Sequence, residues 1–451
     1  MDQVTGTENI GDVIRELLED NNDTVLQAAL VDLHAADIAE VVERIDREDR
    51  ARIVNLLQKE KASEVAAELS ASILHDLFED LPQKTVVDIV QDMDSDDAAD
   101  VIGELDAEYA EKILSAMPWE ETREVRTLLG HSEESAGGIM AVEVVTVYDN
   151  QTASEALDAL RQKSSEVDDV YNIYVVDQGG VLQGVVALKD LVLAGPQDKL
   201  SSIMDAEFLS IHPEMDQEAV ANFFHKYDLV VAPVVDENGR LVGRVTVDDI
   251  LDVVEEEASE DIALMAGITD ENIVEGSVFK LSMGRLPWLI VSFFGEMVSA
   301  TVMHHFSASI KQVVMSAFFI PLIMAMGGNT GIQSATVVIR GLAVGDFFLR
   351  DTGKRLVKEL LIALINGLII ALFLLAVTYI WMGNVRFGII LGVSMIAVLF
   401  NAAFIGTILP FFLKSVKIDP AVSTGPFITT SNDVLGLLIY FSLITLFSKW
   451  L

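Results

Sequence analysis

The chain has 451 residues, room for about three domains, and carries 70 acidic against 30 basic residues, a net charge of −40. That excess excludes nucleic acid as a partner, because a phosphate backbone needs basic side chains. The absence of cysteine excludes disulfides and thiolate metal sites. The charge is unevenly spread: 64 of the acids and 18 of the bases precede residue 277, net −46, whereas the remaining 6 acids and 12 bases make the rest net +6. Carboxylates are the ligands of hard divalent cations, although a salt-adapted surface is equally acidic. The acidic, polar start offers no signal peptide, so the first 276 residues are expected in the cytosol.

Residues 33–129 contain a strict repeat. Leu33, Ile45, Leu57, Leu69, Leu81, Met93, Leu105, Met117 and Leu129 are 12 apart, and each of the last eight follows an apolar residue by four: Val41, Ile53, Val65, Leu77, Ile89, Val101, Ile113 and Val125. An i, i+4 apolar pair marks one helix face. The spacing predicts short helices of about two turns stacked as an α-helical solenoid.

A second repeat occupies 139–255. Ile139-Met140 recurs as Ile203-Met204, each followed by a strand-like run, a helix opening at Thr152 or Asp216, and an apolar hairpin segment, 174–191 or 233–250. Gln178-Gly179-Gly180 and Asn238-Gly239 suit the hairpin turns. This β-α-β-β-α order, present twice, resembles a tandem CBS pair, an α/β module that senses nucleotides or ions. In the segment that follows, Leu251, Val254, Ala258, Ile262 and Met265 form an apolar stripe opposite an acidic surface, predicting a long linking helix.

Five apolar stretches close the chain, roughly 286–305, 313–338, 360–382, 388–413 and 422–447, each long enough to cross a hydrocarbon core of about 30 Å. With the N-terminus inside, nine Lys/Arg flank the inner ends and three the outer ends, which places the C-terminus outside. The expected organisation is an acidic helical domain (1–132), a tandem CBS domain (133–250), a linking helix (251–276) and a five-helix transmembrane domain (277–451).

Asp433 is the leading candidate for chemistry. It lies about 12 residues, or about 18 Å, into the last span beside Thr429, Thr430, Ser431 and Asn432, with no Lys or Arg in that apolar stretch. A lone carboxylate at this depth needs water, a cation or a partner. It is either a cation site on a pathway wall or a protonated acid bonded to a neighbouring helix. In the second span Asn329 and Gln333, at i, i+4 within Gly327-Gly328-Asn329-Thr330-Gly331, share a face. Their amides suit an ion's water shell, while the glycines equally suit close helix packing. Glu296 is a further candidate pathway carboxylate, Glu359 reads as interfacial, and His304-His305 as surface imidazoles. One carboxylate is a poor cage for Mg2+, which dehydrates reluctantly; two copies about a twofold axis bring two Asp433 side chains together.

The order of parts, together with PLIMAMGGNTGIQSAT (321–336) and DPAVSTGPFITTSNDVLGLLIY (419–440), resembles the MgtE family of magnesium channels over essentially the whole chain. The resemblance implies a homodimer in the inner membrane, a pore on the twofold axis, and a Mg2+-binding intramembrane acid matching Asp433. It implies a cytosolic Mg2+ sensor at positions matching Asp249, Asp252, Glu257, Glu260 and Asp261, with Glu218 and Asp228 in the second CBS unit and Asp96, Asp97 or Asp100 from the solenoid. Some members bind ATP in the CBS cleft, with which Lys189, Asp190 and Tyr227 are compatible. Two departures stand out: Gly425 replaces an Asn that some relatives carry two turns before the pore acid, leaving the choice among Mg2+, Mn2+ and Co2+ open, and His225 stands where a sensor carboxylate is absent.

Charge alone argues for a gate. Bringing domains of net charge −46 together stores repulsion that bound divalent ions relieve, so a compact closed state is favoured at high Mg2+. A divalent cation–proton exchanger and a CBS-regulated anion channel are the rival readings. No nucleotide loop, nucleophile–His pair or metal–His motif points to an enzyme.

Overall fold

The structure, a computed structural model, describes residues 7–20, 22–163, 170–268, 278–423 and 425–450. It divides into two compact units, Met1–Val254 and Glu255–Leu451.

The first unit opens with ten short helices: α1 (Thr7–Glu19), α2 (Asp23–Val31), α3 (Ala35–Arg44), α4 (Arg47–Leu56), α5 (Lys59–Ala67), α6 (Ala71–Asp80), α7 (Gln83–Val90), α8 (Ser95–Gly103), α9 (Ala107–Leu114) and α10 (Trp119–Leu128). From α3 to α10 every helix begins 12 residues after the last, as the sequence repeat requires. Val41, Ile53, Val65, Leu77, Ile89, Val101, Ile113 and Val125 are all buried. The second residue of each predicted pair does not extend the helical face. Ile45, Leu57, Leu81 and Leu129 are helix C-caps and the others follow the helix end, so this position lies at the joint. Helices pack two steps along, α3 on α5 on α7 on α9, which makes the array a solenoid.

The next segment contains β1 (Thr146–Tyr148), α11 (Ala153–Lys163), β2 (Asn172–Val176), β3 (Leu182–Ala187), α12 (Leu188–Leu193), α13 (Leu200–Ile203), α14 (Gln217–Tyr227), β4 (Val231–Val235), β5 (Leu241–Thr246) and α15 (Val247–Met265). One sheet has the order β1-β2-β3 and the other pairs β4 with β5. The first strand predicted for the second repeat is reduced to one bridge, Ile211 to Val234. The hairpin turns use Gly180 and Gly239 at φ 80° and 74°, as a residue without a β-carbon allows. The Ile-Met repeat has a packing cause. A β-carbon at Gly184 would lie 2.8 Å from Met204 Sδ, and one at Gly243 would lie 2.9 Å from Met140 Sδ. Each methionine therefore covers the strand glycine of the other half.

The apolar stripe predicted along the linking helix is corrected. Leu251, Val254, Ala258 and Ile262 are exposed within the single chain, whereas Ile250, Val253, Ala263 and Leu264 are buried. Gly267, at φ 74°, ends the helix, with the Ile268 N–H donating to Ala263 O at 2.9 Å. The predicted continuation to residue 276 falls, from 269 on, outside the described residues.

The second unit holds α16 (Val278–His305), α17 (Ser307–Gln312), α18 (Ile320–Ala343), α19 (Thr352–Met382), α20 (Val385–Ser415) and α21 (Pro426–Leu446). Five helical segments are long and apolar enough to cross a membrane: Leu281–His305, Val314–Ala343, Leu349–Met382, Val385–Ser415 and Pro426–Leu446. α20 is the central helix and α16 the most exposed. Small residues set the helix contacts, a membrane-type packing: Gly367 meets Ile396 and Gly392 meets Ala371 between α19 and α20, Gly406 meets Gly331 between α20 and α18, and Gly295 meets Thr430 between α16 and α21.

Ile53 is fully buried in the solenoid core. Ile53→Ala should lower the unfolding free energy of the soluble unit by about 2–5 kcal/mol in guanidinium titration. Leu129→Ala, at an exposed joint position, should cost under about 1 kcal/mol.

Candidate cation path and regulatory acids

α21 begins at Pro426 with Gly425 as its N-cap, later than the predicted span, so Asp433 lies about 12 Å along the helix rather than about 18 Å. Its half-buried carboxyl comes within hydrogen-bonding reach of the Glu296 carboxyl on α16. Among the described residues neither acid has an ion pair with Lys or Arg. The partner of Asp433 is thus a second acid, an arrangement that suits a bound cation and equally suits one proton shared between the two carboxyls. Thr429 and Ser431, the expected polar collar, donate to carbonyls of their own helix, Thr429 to Pro426 O at 3.2 Å and Ser431 to Ile428 O at 3.2 Å. An open groove between α16 and α21 is lined mainly by apolar groups such as Val291, Val298, Phe427 and Val434, so it is not a polar path.

Asn329 and Gln333 stand on the exposed face of α18, which continues through Thr336 and Arg340. The same helix buries Gly327, Gly331, Ser334, Ala335 and Val338 on its other side. The positions 329, 333, 336 and 340 form one helical stripe. Among the described residues no hydrogen bond joins Asn329 or Gln333 to Asp433.

Glu359 is not interfacial. It is 6 % exposed, ion-paired with Arg355 one turn earlier, and accepts from Ser334 Oγ at 3.0 Å. Arg355 also lies over the Phe347 ring, 5.1 Å from its centroid. This buried pair ties α19 to α18. The i, i+4 spacing of Arg355 and Glu359 was the sequence signal for it.

In the first unit the acids at the start of α8 meet those at the start of α15. Asp96, 8 % exposed, is flanked by Asp94, Asp97, Glu143 and Asp249. Burial, then the charge of Asp249 and its neighbours, pushes the Asp96 carboxyl well above the usual range. Burial among these groups, then Asp94 and Asp249, pushes Asp97 up to about 7, although part of its surface reaches solvent. Asp249 is pushed up to about 6, first by burial, against the opposing effect of Thr246, whose N–H and hydroxyl donate to Asp249 Oδ2 at 3.0 and 2.6 Å. Asp252 also raises Asp249, so it belongs to this group. Ser95 Oγ donates to Glu143 Oε2 at 2.7 Å and holds that acid beside the group. Asp94 and Glu143 were not singled out in the sequence, because only the tertiary fold brings them to α15.

In the second unit Asp261 faces Asp419, in the connection before α21, with Glu257 one turn earlier on its own helix and the Lys414 ammonium acting in the opposite sense. Burial first, then Asp419, pushes Asp261 up to about 6. Glu260 lies half-buried on the same helix. The helix end beyond them is wedged into this unit: Leu264 packs with Ala335, Ile339, Ala421 and Ile428. A β-carbon at Gly425 would lie 3.6 Å from the Leu264 carbonyl and from Gly267, so position 425 faces the end of α15. Glu218 and Asp228 sit at opposite ends of α14, about 15 Å apart, and do not converge on one ion within the chain. Lys189 and Asp190 are exposed in the first turn of α12, and Tyr227 is exposed at the end of α14, edge-on to Phe223.

The divalent cation transporter family model matches residues 320–443, the MgtE intracellular N domain model 33–134, and the CBS domain model 136–196 and 200–256. Five apolar helices behind an intracellular helical domain and a CBS pair define a divalent cation transporter. The chain is 40% identical over 321 residues to the magnesium transporter MgtE of Thermus thermophilus, covering 71% of each. It is 35% identical over 331 residues to that of Enterococcus faecalis, covering 73% of each. The chain belongs to the MgtE family. Its fold is similar to the cytosolic domain of the Mg2+ channel MgtE in complex with ATP, with TM-score 0.52 and 34% identity over 54% of this chain and 99% of that one.

The folded-state pKa values of Asp97 and Asp249 lie above the unfolded value of about 3.9. The folded unit therefore binds more protons between about pH 4 and 7, and its stability falls as pH rises through that window. In divalent-free buffer the unfolding temperature of the soluble unit should be higher near pH 5 than above pH 7, with a shallower slope in Asp97→Asn. An equal slope in that variant would assign the effect to other groups.

Proposed function

We propose that this membrane protein takes up Mg2+ through the five-helix unit, with Asp433 as the cation-binding acid and Glu296 as its companion. The observation that carries this is the meeting of two intramembrane carboxylates without a basic partner among the described residues. Two such charges call for a compensating cation. The exposed polar stripe of Asn329, Gln333 and Thr336 is the surface that would meet a hydrated ion. A homodimer completes the path. In its support, the stripe on α18 and the apolar stripe Leu251, Val254, Ala258 and Ile262 on α15 are both uncovered in the single chain.

Gating follows from the regulatory acids. Divalent ions bound among Asp94, Asp96, Asp97 and Asp249, and among Glu257, Asp261 and Asp419, relieve repulsion that otherwise opposes compaction. Glu218, Asp228 and Glu260 are further ligands, and the helical domain (1–132), CBS domain (133–250) and the linking segment (251–276) act together as the cytosolic sensor. The C-terminus lies outside. ATP binds the CBS region through Lys189, Asp190 and Tyr227, in line with the ATP complex of the related cytosolic domain. Mn2+ and Co2+ are competing ions, since position 425 supplies no side chain to the ion's water shell.

In liposomes, Asp433→Asn should lower Mg2+ flux by at least about 100-fold while the protein still elutes as a folded species. Glu296→Gln should lower it less, by about tenfold. Wild-type flux in Asp433→Asn would overturn the reading. A cation–proton exchange reading is favoured by the carboxyl–carboxyl contact, which suits a shared proton. It requires that an imposed pH gradient alone drive Mg2+ uptake.

A further inference from the structure

Asn432 is 2 % exposed, and neither Nδ2 nor Oδ1 of its amide has a hydrogen-bond partner among the described residues. It belongs to the inner face of α21, Ile428, Asn432, Gly436 and Tyr440, whereas its neighbour Asp433 turns toward α16. The amide enters a socket that exists because α18 lacks side chains there. A β-carbon at Gly331 would overlap Asn432 Nδ2 and crowd the Ile428 methyl group at 2.7 Å, and one at Gly327 would lie 4.0 Å from Asn432 Cβ. α20 closes the socket from behind, with Gly406 against the Gly331 carbonyl. Pro410 has no N–H to give the Gly406 carbonyl four residues earlier, so that acceptor lacks its helical donor.

A buried amide left unpartnered destabilises the arrangement that holds it. An apolar side chain of the same shape, such as Leu, would fill this socket without that penalty. The polar residue therefore weakens the seat of α21 at the position next to the cation-binding acid. We infer that Asn432 is a positioning residue: its seating between Gly327 and Gly331 sets the rotation of α21 and hence the direction of Asp433, and its unpartnered amide keeps that rotation reversible. This rests on Asp433 being the cation-binding acid. Two rotations of comparable free energy are what a gated path requires.

Three full-length variants in liposomes test it, with Asp433→Asn as the control. Asn432→Leu should raise the unfolding temperature and shift by at least about threefold the Mg2+ concentration that half-closes flux. Gly331→Ala should lower flux by about tenfold by displacing the amide, and Asn432→Ala in that background should restore most of it. A rise in stability with unchanged Mg2+ dependence in Asn432→Leu would overturn the inference and leave a plain packing defect. Full flux in Gly331→Ala would also overturn it. If Asn432→Leu does not fold, the Gly331→Ala pair decides alone. Wild-type flux in Asp433→Asn would instead show that the underlying reading of Asp433 has failed.

Discussion

A carboxylate crowded by other acids without a counter-charge is held there against repulsion, and this chain does so in both units. In the membrane unit Asp433 and Glu296 approach each other with no basic group to neutralise them. In the soluble unit Asp96, Asp97 and Asp249 are gathered by α8 and α15. Other acids of the first unit are paired in the ordinary way: Arg47 bridges Asp76, Glu79 and Asp80, and Arg50 also reaches Asp76. The contrast matters because exposed ion pairs contribute little, whereas clustered unpaired acids oppose the structure until a cation arrives. Salt adaptation accounts for acids scattered on the surface; it does not account for burying Asp96 among Asp94, Asp97, Glu143 and Asp249.

Glu359 shows the opposite solution within the same membrane unit. It is as buried as any acid among the described residues, yet Arg355 and Ser334 satisfy it. Removing one partner of such a pair leaves the other charge stranded, so the pair fixes how α18 and α19 meet more than it adds to stability. The helix that carries Asn329 and Gln333 is thereby anchored on one side by Glu359. On the other side it meets α20 and α21 through glycine contacts. A rigid contact and an adjustable one flank the same helix.

Much of this architecture was legible in the sequence because it rests on spacing. A 12-residue step dictates where each solenoid helix starts, and two glycine turns dictate two hairpins. The five spans follow from hydropathy. What sequence alone did not place depends on groups far apart in the chain. Glu143 and Asp419 join the acidic groups only through tertiary contacts. The stripe on α15 was legible as apolar but not as uncovered, because periodicity reports that a face needs a partner without saying whether the same chain supplies it. The same limit applied to Asp433. Its isolation from basic residues could be read from the last span, whereas the acid beside it comes from a helix more than a hundred residues earlier.

Contact connects the end of α15 to the cation site within the membrane unit, but contact alone transmits nothing. Leu264 packs against Ile428, Ile428 and Asn432 share the socket at Gly331, and Asp433 follows Asn432 on the same helix. Were every residue on that route an apolar side chain in a close-packed seat, a displacement of α15 would meet one stable arrangement and be resisted. The route instead passes through glycines that leave helix backbones in direct contact and through an amide that gains nothing from its position. Such a seam has little to lose on turning. The acids Glu257 and Asp261 lie on α15 only a turn or two before Leu264, and Asp261 faces Asp419. An ion that pulled those carboxylates together would therefore act on α21 through Asn432, the buried side chain of its inner face whose polar atoms have no partner among the described residues.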